Sequence, residues 1–347
     1  PSGAARDLHG RGRRLASAHD LALVAAWPMA AIGRDCFVFA PVETPRDDAL
    51  AALSRARSVL SASPVSAYAV QSGPATAAAQ PSLAEIRAPA ANHLATGAGV
   101  ALAVVDTAID PDHPEIADAL TGRRDFVGER AGGAGERHGT AVASIAAARG
   151  RLRGVAPDVS LRACWEDDDA AGVCSNVSVA RALNHAILAG ADVINLSLAG
   201  PPDPLIAALL DAAAAEAVVV AAAAAAPGGP GFPASRPRVL ASAAIGASAR
   251  ADGALLAPGR AILAAAPAGR YDFYTGNSFA AAHVAAVAGL LREAHPEDGA
   301  DALRVRLRNA AGAPGAPIDA CRAIGPECAM KKSNTDEPGR RSDGTHP

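Results

Sequence analysis

Three residues in this chain of 347 residues could cooperate in nucleophilic chemistry: Asp106, His138 and Ser278. A serine hydroxyl attacks a carbonyl carbon well when a neighbouring imidazole removes its proton, and a carboxylate can hold that imidazole in one tautomer. An imidazole with its ordinary pKa near 6.5 accepts and returns a proton at neutral pH. The order Asp, His, Ser along the chain is one of the orders known for such a triad.

Each of the three residues stands at the boundary of a predicted element. Asp106 follows the apolar strand Val100–Val105, His138 opens a helix, and Ser278 follows Gly276-Asn277 at the start of a second, apolar helix. Taken singly, Asp106 could be a metal ligand or a hydrogen-bonded loop carboxylate, His138 a residue at a helix start, and Ser278 an N-cap. Taken together, they supply the three parts of an activated nucleophile.

The elements that must position these residues alternate between buried strands and helices from Gly99 onward. This pattern predicts a doubly wound parallel sheet flanked by helices, with catalytic groups at the carboxyl ends of the strands. The predicted strands are Val100–Val105, Val159–Ala163, Val193–Leu198, Val218–Ala223 and Val239–Ile245. The predicted helices begin at His138 or cover Val177–Ala189, Asp203–Ala215, Ser278–Leu291 and Asp301–Asn309.

The residues before Gly99 predict a small α+β unit followed by a linker. The segment Ser72–Asn92 is rich in Pro, Ala, Ser and Gly and lacks periodicity, which is typical of a linker. We expect a small unit over 1–75, a linker over 76–96, a main domain over 97–328 and a polar, disordered tail over 329–347. The elements predicted in the small unit are a helix near Ala18–Ala26, a strand Asp35–Ala40, a helix Arg46–Leu60 and a strand Val65–Val70.

The composition and charge of the chain indicate which kinds of binding partner to expect. Half of the residues are hydrophobic but only 3% are aromatic, so we expect closely packed helices and pockets lined by small side chains. The formal net charge of −3 gives no sign of a nucleic-acid or anionic-membrane partner. The longest uniform apolar run, Ala217–Pro227, is too short to span a bilayer, and we predict no transmembrane helix.

The five cysteines include two close pairs, Cys164 with Cys174 and Cys321 with Cys328, and leave Cys36 single. Neither pair is a CxxC motif and no histidine cluster stands beside them, so a zinc site is not expected. Two short disulfide loops in an extracytoplasmic protein fit this pattern, and five reduced cysteines in a cytosolic protein are the alternative.

The three candidate segments together resemble the signature segments of the subtilisin-like serine proteases. The resemblance covers about Gly97–Arg308 and implies that Asp106, His138 and Ser278 form the catalytic triad of a serine endopeptidase. The matching segments are Asp106-Thr107-Ala108-Ile109-Asp110 with His113-Pro114, then His138-Gly139-Thr140-Ala141-Val142-Ala143, then Gly276-Asn277-Ser278-Phe279-Ala280.

The same resemblance implies a peptide-binding segment and a pro-domain. Ser197-Leu198-Ala199-Gly200 resembles the strand that pairs with the backbone of a polypeptide substrate. By its order and size, the N-terminal unit resembles the family's pro-domain, a folding aid and inhibitor, and an unrelated accessory domain is the alternative. The linker Ser72–Asn92 would then contain the self-cleavage point of a zymogen that is secreted or periplasmic.

The sequence lacks one residue on which catalysis in the family depends. After the strand equivalent to Val218–Ala223 the family usually has an Asn that donates a hydrogen bond to the oxyanion, whereas Ala224 and Ala225 stand here. Loss of one such donor costs roughly 2.7–4 kcal/mol, a value measured in a member of that family. Asn277, where the family usually has Thr, is a candidate substitute donor, and a residue that merely suits the turn is the alternative. Further departures are Ala108, Ala199, Ser144 and Ala282.

Two functional interpretations follow from this departure. An active endopeptidase that works through an acyl-enzyme is the first, and a catalytically weak relative that binds extended peptides is the alternative. No cofactor is expected. Calcium at Asp167-Asp168-Asp169 is conceivable, although a solvated loop closed by Cys164 and Cys174 is the preferred interpretation. Of the other histidines, His283 is expected to be packed, and His113 and His185 have no clustered partners and are expected to be structural.

Overall fold

A computed structural model of the protein describes most of the chain and divides it into two compact units, Pro1–Gln71 and Ser72–Pro347. The described residues are 7–29, 34–60, 62, 80–126, 136–165, 175–224, 229–247, 253–313 and 315–330.

The first unit contains a helix, an antiparallel strand pair and a second helix: α1 (Leu8–Ala18), β1 (Leu21–Met29), β2 (Arg34–Pro41) and α2 (Arg46–Arg55). Its small core contains Ala16, Leu21 and Ala49. The predicted strand at Asp35 is confirmed. The helix predicted over Arg46–Leu60 begins at Arg46 as expected but ends five residues early, at Arg55. The strand predicted at Val65–Val70 lies outside the described residues.

The helix predicted near Ala18–Ala26 is wrong, because β1 occupies this stretch. Its residues alternate between the small core, where Leu21 is buried, and solvent, where Val24 is 63% exposed. Alanine-rich composition favours a helix locally, but pairing with β2 overrides that weak preference.

The predicted linker is too long, because its second half is folded. Two short helices, α3 (Pro81–Glu85) and α4 (Ala88–Ala91), lie inside it. Leu83 and Ile86 are buried in the main core of the second unit, and the side-chain amide of Gln80 exchanges two hydrogen bonds with the backbone of Arg153, at 2.9 and 3.0 Å. The folded part of the second unit therefore begins at or before Gln80.

The second unit is built on a seven-stranded sheet with the order β4-β5-β3-β6-β7-β8-β9, in which every neighbouring pair is parallel. This confirms the predicted doubly wound α/β architecture. The sequence patterns did not predict the two edge strands. β4 is mostly polar, and β9 has only three residues. The strands are β3 (Ala101–Asp106), β4 (Leu120–Asp125), β5 (Ser160–Trp165), β6 (Val193–Leu196), β7 (Val218–Ala222), β8 (Leu240–Ala244) and β9 (Leu255–Ala257).

Helices cover both faces of the sheet, and the alternation of side chains along each strand explains the two cores. In β3, Leu102 and Val104 belong to one core, whereas Ala103 and Val105 belong to the other. The first core is shared with α5 (Glu136–Ala147) and α8 (Asn277–Ala294), and the second with α6 (Asn176–Leu188) and α7 (Pro204–Glu216).

The helix α8 is the central helix of the unit. Every residue from Phe279 to Leu291 is buried, and the many alanines let its backbone approach α5 and the strands β6, β7 and β8 closely. A helix buried on all sides has little freedom to shift, so its first residues hold a fixed position over the end of the sheet.

The remaining elements close the fold. A hairpin of β10 (Ile262–Ala266) and β11 (Arg270–Tyr274) packs on α5. The helices α9 (Ala300–Ala310), α10 (Ala320–Ile324) and α11 (Glu327–Met330) follow α8. The tail predicted from residue 329 begins too early, since Ala329 and Met330 belong to α11, and residues 331–347 lie outside the described part. No helix among the described residues combines the length and apolar character that a membrane crossing requires.

Candidate active site

The candidate site lies where the strand order reverses around β3, a place where open α/β sheets form a crevice at the carboxyl ends of their strands. Asp106 is the last residue of β3, and Ser197 directly follows the neighbouring strand β6. Ser278 lies in the first turn of α8 and His138 in the first turn of α5. The fold therefore gathers four residues that are far apart in the sequence.

Asp106 and His138 form the central hydrogen bond of the site. Nδ1 of His138 lies 2.6 Å from Oδ1 of Asp106, and the same oxygen accepts a hydrogen bond from the backbone N–H of Thr107 at 2.7 Å. The carboxylate is almost fully buried, whereas the imidazole is about one third exposed. The carboxylate thus fixes the orientation of a ring whose other nitrogen is left for chemistry.

Gly139 permits this close approach of α5 to the end of β3. A Cβ atom at this position would collide with the backbone carbonyl oxygens of Thr107 and Ala108. The backbone N–H of Gly139 also donates to the side-chain hydroxyl of Thr107, at 2.9 Å. The glycine next to His138 is therefore required by contact with the backbone.

The pKa of His138 is raised above its ordinary value of 6.5. The main cause is attraction between the imidazolium and the carboxylate of Asp106, and their hydrogen bond adds to it, whereas burial opposes it. The pair is suited to receive a proton and to stabilise the resulting positive charge.

The Ser278 hydroxyl donates to the carbonyl oxygen of Ser197, at 3.2 Å, and the side-chain hydroxyl of Ser197 lies 3.4 Å from the carbonyl oxygen of Ser278. The second contact lies near the distance limit for a hydrogen bond. Among the described residues, His138 and Ser278 make no hydrogen bond with each other, so a change of the serine rotamer must precede proton transfer between them.

An aromatic wall borders the His138 imidazole. The Phe279 ring lies 5.2 Å from the imidazole and 5.3 Å from the Tyr274 ring, between centroids. The guanidinium of Arg137 lies 5.4 Å from the centre of the Tyr274 ring and pairs with Asp272. This wall restricts the imidazole on the side of α8.

A family model for the subtilases matches residues 97–339, which is more than half of the chain. The chain belongs to the subtilase family. The matched range contains Asp106, His138 and Ser278.

Individual relatives agree with this assignment. Subtilisin E of Bacillus subtilis is 32% identical over 250 residues, an alignment that covers 66% of this chain and 65% of that protein. Thermitase of Thermoactinomyces vulgaris is 34% identical over 225 residues, covering 60% of this chain and 80% of that protein. The structure of the prenylagaramide maturation protease PagA, 24% identical, superposes with a TM-score of 0.57 over 69% of this chain and 96% of that chain. The last comparison shows the fold alone.

In this subtilase the segment predicted to bind substrate leaves the sheet after β6. Ser197 and Leu198 are half-buried, and Ala199 is exposed. The buried Asn195 donates a hydrogen bond to the hydroxyl of Ser197, at 2.8 Å. The binding role of Ser197, Leu198 and Ala199 stays a prediction.

Of the two candidate oxyanion residues, Ala225 and Asn277, the structure describes only Asn277. Ala225 lies outside the described residues. Asn277 is described, and its side-chain amide has partners in the sheet: Oδ1 accepts from the backbone N–H of Ala244 at 2.9 Å, and Nδ2 donates to the carbonyl oxygen of Ala223 at 2.8 Å. No pattern in the sequence indicates these contacts, and the predicted role of Asn277 as an oxyanion donor stays a prediction.

Ser144, one of the departures from the family pattern, bridges two elements of this subtilase. Its buried hydroxyl donates to the carbonyl oxygen of Ala141 within α5 and accepts from the backbone N–H of Ala265 in β10, each at 2.9 Å. A glycine at this position could not make either bond. The serine therefore ties the hairpin to the helix that carries His138.

A buried carboxylate that sequence reasoning missed anchors the same hairpin. Glu115 accepts hydrogen bonds from the backbone N–H groups of Gly150, Arg151 and Leu152, at 2.7–3.0 Å, and from the hydroxyl of Tyr271 at 2.7 Å. The pKa of Tyr271 is raised to about 12. Burial is the main cause, and the hydrogen bond to Glu115 and the negative charge of that carboxylate add to it. Both oxygens of Glu115 thus accept hydrogen bonds from N–H or O–H donors.

Three of the other histidines, for which no catalytic role was predicted, are packed to different extents. His283 is fully buried, its Nδ1 lies 2.7 Å from the carbonyl oxygen of Phe279, and burial lowers its pKa to about 4. His113 is buried with Nε2 3.0 Å from the carbonyl oxygen of Arg270. His185 is half-exposed and borders Phe126. These contacts account for all three as structural residues.

The structure describes only part of the predicted disulfide and calcium positions. It places the sulfur atoms of Cys321 and Cys328 at bonding distance, with Cα atoms 5.2 Å apart. The Cys164 side chain, Cys174 and the aspartates at 167–169 lie outside the described part. Within that part, no group of three or more His, Cys, Asp or Glu side chains could hold a metal ion.

Proposed function

We propose that this subtilase is a serine endopeptidase in which Ser278 is the nucleophile, His138 the general base and Asp106 the residue that orients His138. The observation that carries the proposal is the 2.6 Å hydrogen bond between His138 and Asp106 at the strand ends that also receive Ser278. Family membership supports the same assignment.

The first step of the proposed mechanism is a rotation of the Ser278 hydroxyl. The hydroxyl leaves the carbonyl oxygen of Ser197 and donates to the free ring nitrogen of His138, which removes the proton as the serine oxygen attacks the peptide carbonyl. The protonated imidazole then gives its proton to the leaving amine, and water hydrolyses the acyl-enzyme by the reverse sequence of proton transfers.

A peptide substrate is proposed to bind as an extra strand along Ser197-Leu198-Ala199. This segment continues past the end of β6 with its outer part exposed, so its backbone groups can pair with an extended chain. A substrate N–H that takes the carbonyl of Ser197 would displace the Ser278 hydroxyl toward His138. Binding and alignment of the nucleophile would thereby be coupled.

The oxyanion that forms in this mechanism needs hydrogen-bond donors. The backbone N–H of Ser278 is in the first turn of α8, where amide groups have no partner within the helix. The helix dipole favours negative charge at the same place. We propose this amide as the main donor for the oxyanion.

The first unit is proposed to act as a pro-domain, which makes the full chain a zymogen. Support comes from its separate compactness, its small core and its position before the family-matching region. Since residues from Gln80 onward are held by the second unit, the proposed self-cleavage point lies on the N-terminal side of Gln80.

A secreted or periplasmic location is proposed together with a disulfide between Cys321 and Cys328. The support is the pairing of Cys321 with Cys328, whose Cα atoms lie 5.2 Å apart, within the range that a disulfide requires, and the rarity of structural disulfides in reducing compartments. Alkylation of the purified protein without a reductant, followed by mass spectrometry, tests the bond, because only reduced cysteines gain mass.

Hydrolysis of an unfolded protein substrate tests the proposed activity. The wild-type chain should release new peptides that are internal to the substrate, and Ser278→Ala should release none above background. Internal cleavage that is equally fast in Ser278→Ala would reject Ser278 as the nucleophile. The absence of cleavage by the wild-type chain would favour the peptide-binding alternative.

A further inference from the structure

The side chain of Asn277, next to the nucleophile, lies between the carboxyl ends of two sheet strands. Its Oδ1 accepts from the N–H of Ala244, the last residue of β8, at 2.9 Å. Its Nδ2 donates to the carbonyl oxygen of Ala223, which follows β7, at 2.8 Å. One planar amide therefore joins two backbones.

The strand register shows what this amide replaces. Ala222 pairs with Ser242, and one residue later the N–H of Ala223 donates to the carbonyl oxygen of Ser242 at 2.8 Å. In a regular parallel ladder the next bond would run from the N–H of Ala244 to the carbonyl oxygen of Ala223. The Asn277 amide satisfies the same two groups, accepting from one and donating to the other.

We propose that Asn277 is a positioning residue whose amide inserts as an additional rung between β7 and β8 and thereby fixes Ser278 over the end of the sheet. A side-chain amide suits this task, because it offers a donor and an acceptor in one plane, as a peptide group does. The effect on catalysis rests on the proposed function, whereas the rung itself does not.

A second contact joins the same turn to Gly259, which follows β9 and lies close to Ala244 at the end of β8. The N–H of Gly276 donates to the carbonyl oxygen of Gly259 at 2.8 Å. A Cβ atom on Gly259 would lie 2.6 Å from Cβ of Ala244 and 2.8 Å from the carbonyl oxygen of Gly276. The turn at Gly276 therefore packs closely against Gly259 on one side, and Asn277 bonds it to the end of β8 on the other.

The bonds to the two strands and a bond to an oxyanion would use different atoms of the Asn277 amide. The bonds to Ala244 and Ala223 use Oδ1 and one of the two Nδ2 hydrogens. A hydrogen bond from the second Nδ2 hydrogen to an oxyanion would involve neither strand. Exchange at the N–H of Ala244 therefore reports the rung alone, whether or not the amide also contacts an oxyanion.

Hydrogen exchange at the N–H of Ala244 tests the rung directly. Full-length chains that carry Ser278→Ala are compared with and without Asn277→Ala, so that self-digestion does not interfere. We expect exchange of this amide to become about tenfold faster or more when the acceptor is removed. Unchanged exchange would overturn the proposal.

The catalytic arm uses otherwise wild-type chains and rates normalised to the number of sites that react with a fluorophosphonate. Asn277→Ala should lower kcat about 10- to 100-fold through displacement of Ser278 and leave KM within about twofold, because Ser197-Leu198-Ala199 is untouched. A normal kcat together with faster Ala244 exchange would reduce Asn277 to a purely structural residue and overturn the positioning role.

Leu210→Ala is the matched control for lost stability. Leu210 is fully buried on α7, in the core on the other face of the sheet from α8. This variant should be less stable than wild type yet keep the wild-type kcat per reactive site. A fall in kcat equal to that of Asn277→Ala would overturn positioning as the cause.

Asn277→Thr keeps the proposal testable if Asn277→Ala does not fold, since the family usually has Thr at this position. A threonine hydroxyl is too short to serve both strands, so Ala244 exchange and kcat should lie between those of wild type and Asn277→Ala. If the wild-type chain proves inactive, the proposed function fails, and the exchange measurement still decides whether the rung exists.

Discussion

At the scale of single residues, His138 should determine how the activity of this subtilase depends on pH. The nearby carboxylate of Asp106 raises the pKa of the imidazole above 6.5, because it stabilises the charged form. Only the neutral imidazole can remove the proton of Ser278, so kcat/KM should fall as the pH drops through that raised pKa. A pH profile of peptide hydrolysis measures this acid limb.

Asp106→Asn separates the contribution of the carboxylate. In serine proteases this change lowers kcat about 10⁴-fold, because the imidazole then adopts the wrong tautomer. In this subtilase the acid limb of the remaining activity should also move to lower pH, because the negative charge that raises the pKa of His138 is gone. Asp211→Asn is the control, since Asp211 is an exposed carboxylate on α7 that pairs with Arg236. An acid limb that is unmoved in Asp106→Asn would contradict the assigned cause.

The sequence predicted the candidate triad at this scale because all three residues stand at element boundaries within recognisable segments. It could not predict the partners of Asn277, since these depend on how two strands separate at their ends. Nor could it predict the four donors to Glu115, three of which come from a loop more than thirty residues away. Side-chain identity is visible in a sequence, whereas the groups that surround it are set by packing.

At the scale of elements, the segment before β3 contributes to the core of the second unit. Ile86, between α3 and α4, is fully buried. Ile86→Ala should lower the free energy of unfolding by about 2–5 kcal/mol, measured by urea unfolding in a Ser278→Ala background. Leu188→Ala, at a site 78% exposed, should change it by less than about 0.5 kcal/mol. Equal effects of the two changes would contradict the buried role of this segment.

Sequence patterns succeeded for elements whose burial is simple. The strands β3, β6, β7 and β8 are mostly apolar runs buried on both faces, and a parallel sheet requires such runs. The patterns failed where a few side chains decide the outcome: Leu21 and Leu23 make an alanine-rich stretch a strand, and Leu83 and Ile86 make a proline-rich stretch part of the core. Composition alone cannot show which apolar side chain reaches a core.

At the scale of the whole molecule, the two units predict a maturation step. If the first unit is a pro-domain, the full-length wild-type chain should be cut on the N-terminal side of Gln80 during incubation, whereas Ser278→Ala should stay intact. Intact-mass measurement over time gives the position of the cut. A first cut between Gln80 and Asn92 would contradict the account, because the structure holds that segment within the second unit.

The central claim is that Asp106 and His138 activate Ser278, and reaction with a fluorophosphonate followed by peptide mapping tests it most directly. The account predicts a single adduct on Ser278 that forms rapidly in wild type, is absent in Ser278→Ala and forms far more slowly in His138→Ala. An adduct on another residue, or labelling of Ser278 that is equally fast without His138, would contradict it.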